Sequence, residues 1–98
     1  MKRNKTELIL INISGPDKSG ITASLTAILA RHSAEILDIG QADIHHTLSM
    51  GILFKTDSQS SGEILKELLF QTNELNVHMQ FHQRQIRDPS KPLHFQEA

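Results

Sequence analysis

The chain has 98 residues, one domain's worth, with ten basic and eleven acidic side chains and a formal charge of −1. It has no cysteine, which excludes disulfides, thiolate catalysis and cysteine-ligated metal and is compatible with the cytosol. Lys2, Arg3 and Lys5 crowd the start, so the remaining chain is acidic and lacks the basic footprint of a nucleic-acid binder. No apolar run reaches the ~18 residues a membrane span needs. The basic start leads into a strand-like run ending in Asn12 and Ser14, not into a signal peptide.

Residues 1–6 are polar and expected to fray. Leu8, Ile9, Leu10, Ile11 and Ile13 predict a central strand over Glu7–Ser14. Ile21, Leu25, Ile28, Leu29 and His32 share one face of a helix from about Gly20 to His32, with Ser19 as its cap. A second strand is expected over Glu35–Ile44. Asp38, Gly40, Gln41 and Asp43 interrupt its apolar positions, which marks an edge. His45-His46 turns the chain into a third strand, Thr47–Lys55, and the two strands form a hairpin. Ser60 and Glu63 have capping-box spacing at the start of a second helix. That helix runs to about Glu74, with Ile64, Leu65, Leu68, Leu69 and Leu75 as its buried stripe. Val77–Ile86 alternates as strand four, and residues 87–98, with two prolines, read as a tail or a linker to an absent domain. The order predicts an α+β, ferredoxin-like βαββαβ fold: a four-stranded antiparallel sheet with two helices on one face.

The loop Ser14-Gly15-Pro16-Asp17-Lys18-Ser19-Gly20-Ile21-Thr22 joins strand one to helix one. The amides of Gly20, Ile21 and Thr22 open the helix, where backbone donors lack partners and the dipole is positive. A small carboxylate suits that point, and Asp17 beside it suits an amine. A capped turn, with Asp17 serving its own backbone, fits the same residues.

Catalytic motifs are missing. There is no nucleophile elbow, no phosphate-cradling Gly-rich Lys motif and no Asp-x-Asp pair. His78 and His82 would stand ~13 Å apart along a strand, and His45 and His46 would point apart, so a solvated polar face explains them better than a metal. His32 reads as a helix-terminal, half-buried histidine. RNA binding on such a sheet needs exposed aromatics on the central strands, but Phe54 and Phe81 share faces with core aliphatics.

The segments Asn12–Thr22, Leu29–His32 and Ile36–Ile39 resemble the ACT domain, a ferredoxin-like regulatory module that often binds amino acids. Residues Gly40–Leu53 are similar to the N-terminal ACT region of bacterial phosphoserine phosphatases. The resemblance covers Leu8 to about Ile86 and implies a non-catalytic regulatory domain that dimerises edge to edge through strand two. It implies a small amino acid, L-serine first, held by Asp17, Gly20 and Ile21 of one copy and Glu35 and Asp38 of the other. It implies no cofactor in this chain, and Mg only for an absent phosphatase domain. The chain departs from the pattern in two ways. Ser19 stands where proline commonly precedes the glycine. Gly15 and Asp17 stand where serine-sensing ACT domains of another enzyme have His and Asn. A purely structural dimerisation domain, or a different parent such as a formyltetrahydrofolate deformylase or a glycine-responsive repressor, fits the same motif.

Overall fold

The computed structural model describes residues 5–16 and 19–85. Asp17, Lys18 and the expected tail over 87–98 lie outside them. The elements are β1 (Thr6–Pro16), α1 (Ile21–Arg31), β2 (Glu35–Ile44), β3 (Thr47–Asp57), α2 (Ser61–Glu74) and β4 (His78–Gln85). All strand pairs are antiparallel, in the order β2-β3-β1-β4. The ferredoxin-like βαββαβ fold is therefore present, with β1 central and β2 at an edge.

The two helices cover one face of the sheet. Ile9, Ile11 and Ile13 of β1 and Leu48, Met50, Ile52 and Phe54 of β3 point into that layer and are buried. They meet Ile21, Leu25, Ile28 and Leu29 of α1 and Ile64, Leu65 and Leu68 of α2. Paired residues share a face, so the register gives each edge strand two sides. On β2, Ile36, Ile39, Gln41 and Asp43 lie on the helix side, opposite Phe54, Ile52, Met50 and Leu48. Glu35, Asp38, Gly40, Ala42 and Ile44 lie on the uncovered side. On β4, Met79, Phe81 and Gln83 are on the helix side, and His78, Gln80, His82 and Arg84 on the uncovered one.

Three local expectations are corrected. Gly20, not Ser19, is the N-cap of α1: its left-handed φ of 84° makes the entry bend, which a serine would adopt only under strain. Ser60 and Glu63 form no capping box. Asp57 accepts the Ser60 amide at 2.9 Å, so the preceding strand supplies the acceptor that a cap would have given. Leu69 is 46% exposed, and Thr72 is buried in its place. Ser61, Ile64, Leu65, Leu68 and Thr72 make the stripe, while Leu69, about 100° round from Leu68, falls outside it. The buried Thr72 hydroxyl donates to the Leu68 carbonyl at 2.9 Å, so its polarity is satisfied within the helix.

Both helices end in a Schellman motif. Ala34 N–H donates to Leu29 O and Ser33 N–H to Ala30 O; Val77 N–H donates to Thr72 O and Asn76 N–H to Asn73 O. The left-handed residues are Ser33 and Asn76, each at φ 59°. Val77 thus closes α2 before β4 begins. Its Cγ1 would lie 3.0 Å from a Cβ on Gly15, so a glycine is required where β1 passes.

Candidate functional site at the tip of helix one

The end of β1 and the Ser19-Gly20 turn deliver the chain to the start of α1. Gly20 is exposed, and its carbonyl accepts the first helical bond, from Ser24 N–H at 2.9 Å. The first turn of α1 has no acidic residue. Among the described residues, no acceptor meets the amides of Ile21, Thr22 or Ala23. The positive end of the helix dipole is thus bare of protein charge within that set. The Ile21 side chain is buried in the core, so only its amide can face a ligand.

One polar pair at this tip was not foreseen from the sequence. The Thr22 hydroxyl donates to Gln41 Oε1 at 3.3 Å and approaches Met50 Sδ at 3.6 Å. Gln41 therefore reaches from the helix side of β2 to the second residue of α1. Its pairing with Met50 could have revealed this, since a polar residue opposite a core-facing methionine must lie on the helix layer. The tip can offer backbone N–H donors, a hydroxyl and a carboxamide to one small polar ligand.

The other candidates fall elsewhere. Glu35 and Asp38 are exposed on the uncovered side of β2, so within one protomer the sheet lies between them and the α1 layer. Glu35 pairs with Lys55 at 3.6 Å across the β2–β3 hairpin. Gly20 and Ile21 are brought together at the tip; Glu35 and Asp38 are not brought to it within a single chain.

His32 caps the C-terminus of α1 at the opposite end of that helix. Its Nε2 lies 3.0 Å from Glu67 Oε1, which also accepts Arg31 Nη2 at 2.8 Å. This joins α1 to α2. The hydrogen bond with His32 pulls the Glu67 carboxyl below its usual range; burial opposes the shift, and Arg31 reinforces it. Among the described residues, no three of His, Asp and Glu gather as a metal-binding group.

A family model for the ACT domain matches residues 7–82. Phosphoserine phosphatase SerB2 of Mycobacterium tuberculosis is 38% identical over 45 residues, which span 46% of this chain and 11% of that protein. Among solved structures, an ACT domain protein from Streptococcus pneumoniae has a TM-score of 0.67 at 26% identity, over 79% of this chain and 89% of that one. A formyltetrahydrofolate deformylase from Burkholderia mallei has a TM-score of 0.69 at 14% identity, over 76% of this chain and 27% of that one. The matches span less than two thirds of the length of the curated relatives.

Proposed function

The chain belongs to the ACT domain family, and on that premise we propose that it is an amino-acid-sensing, self-associating regulatory domain of a phosphoserine phosphatase, with L-serine as its ligand. The observation that carries this reading is the α1 tip, where a left-handed Gly20 leads into a first turn that holds no acidic residue. In this reading the Gly20 and Ile21 amides take the ligand carboxylate, as helix N-termini take anions generally. The amine goes to Asp17, or to Asp38 of a second copy, with Glu35 beside it. The Thr22–Gln41 pair lies within reach of the ligand side chain and suits a hydroxyl. The partial identity with a phosphoserine phosphatase supports the choice of parent. The activity of that parent belongs to a domain other than this one.

Isothermal titration with L-serine is expected to give saturable heat, which disappears in the Asp17→Ala variant. Silence with every proteinogenic amino acid removes the sensing reading.

A second reading, association alone, is favoured by β2. All ten of its residues are exposed, and Ile36, Leu37, Ile39 and Ile44 are large apolar ones. It expects self-association by sedimentation with no ligand heat. A different ACT-bearing parent, a deformylase or a glycine-responsive repressor, expects heat from another ligand or a different sequence after Ala98.

A further inference from the structure

The two edges of this sheet differ in kind. The β2 edge carries Glu35, Asp38 and Asp43 and no basic residue. The β4 edge carries His78, His82 and Arg84 and no acidic one. Each also presents exposed apolar side chains on its helix side: Ile36 and Ile39 on β2, Phe81 on β4. Among the described residues neither edge has a further strand beside it, and such edges invite another strand.

We propose that β2 of one copy pairs with β4 of the next, so that the sheet continues head to tail. This rests on the association part of the reading above and not on its ligand. The strand order settles the direction. Neighbours alternate in β2-β3-β1-β4, so β4 runs opposite to β2. A copy displaced sideways without rotation therefore sets β4 antiparallel to β2 and keeps all helices on one side.

The faces then select a register. With Ile39 opposite Phe81 of the next copy, both on the helix side, Asp38 falls opposite His82 on the uncovered side. The β2–β3 register shifts between Ile36 and Asp38, so Leu37 is an extra residue that bulges out of the ladder. Past that bulge, Ile36 comes opposite Gln83 and Glu35 opposite Arg84. In the other direction Gln41 meets Met79 and Ala42 meets His78. One alignment thus joins both uncovered-side carboxylates to basic groups and the exposed Ile39 to the exposed Phe81. Two pre-existing contacts are compatible with it. Lys55 reaches Glu35 from β3, and Glu7 accepts a bond from Gln83 at 2.8 Å on the helix side. Pairing β2 with a second β2 would instead bring Glu35, Asp38 and Asp43 of both copies to a seam to which neither strand brings a basic residue, without the charge complement that β4 offers. In this arrangement Asp38 belongs to the seam, and the ligand amine falls to Asp17.

The chain has no native cysteine, so engineered ones report cleanly. Ile39→Cys and Phe81→Cys chains, distinguished by a mass tag, are mixed and oxidised. The expected product is the mixed disulfide, with wild-type chain growing past dimer as concentration rises, because a head-to-tail seam leaves a free edge at each end. A His82→Glu, Arg84→Glu double variant, changed only at exposed positions, is expected to lose about tenfold or more in association. Disulfides only between like chains, or unaltered association of that double variant, overturn the head-to-tail seam and leave self-association standing. A wild-type chain that sediments as a monomer at every concentration overturns both.

Discussion

Three residues hold backbone conformations that explain their chemistry. Gly20 has φ 84° at the entry to α1, with nothing within 4 Å of where its Cβ would be, so its conformation and not space demands glycine. Gly20→Ala is expected to cost about 1 kcal/mol in chemical denaturation, and to weaken any ligand at the tip by tilting the first amides. Ser33 is the converse. It sits at φ 59° in the Schellman motif of α1, where glycine is the favoured residue. Ser33→Gly should therefore raise stability by roughly 0.5–1 kcal/mol, visible as a higher melting temperature. Gly15 is held by contact, since a Cβ there would press on the Val77 backbone and side chain at 3.0–3.2 Å.

At the level of elements, the β2–β3 hairpin turns on His45 and His46, with φ of 52° and 63°. Positive φ at both central positions marks the turn type that suits strand twist, for which Asn-Gly is the preferred pair. Replacing His45-His46 by Asn-Gly should stabilise the hairpin by about 1 kcal/mol, measured by urea unfolding. The helices are tied by Glu67 between His32 and Arg31. An acid whose folded value is depressed contributes stability that is present above its ordinary range and lost as pH falls through the folded value. Wild type should therefore lose more stability than Glu67→Gln between about pH 5 and pH 3. Because all three groups are partly exposed, the difference should shrink in salt.

For the whole molecule, the helices protect one face of the sheet and neither edge. Leu68, fully buried between α2 and the sheet, is a site where truncation should cost about 2–5 kcal/mol, read as a denaturation midpoint at unchanged slope. Exposed edge residues should behave oppositely. Ile39→Lys should leave monomer stability within about 0.5 kcal/mol while removing association, a separation that sedimentation and unfolding together can show.

Much of this was legible in the chain. The apolar runs of β1 and β3, the helical spacing of Ile21, Leu25, Ile28 and Leu29, and the polar interruptions of β2 each carry a period, and a period survives without coordinates. The bend at Gly20 was legible because glycine acts locally, but the expected loop began too early: Gly15 and Pro16 continue β1, paired with Leu48 and Thr47 of β3. What failed was decided by neighbours from other elements. Asp57 of β3 displaced the expected Ser60–Glu63 cap, and the packing of α2 buried Thr72 and left Leu69 exposed. Gln41 came to Thr22 only because pairing with Met50 turns it toward the helices. The sequence determined the elements and most of the residues each would bury, because those depend on spacing along one chain. Only the tertiary structure decided which side of the sheet each polar group occupies, because register and strand order are relations between segments far apart in the chain.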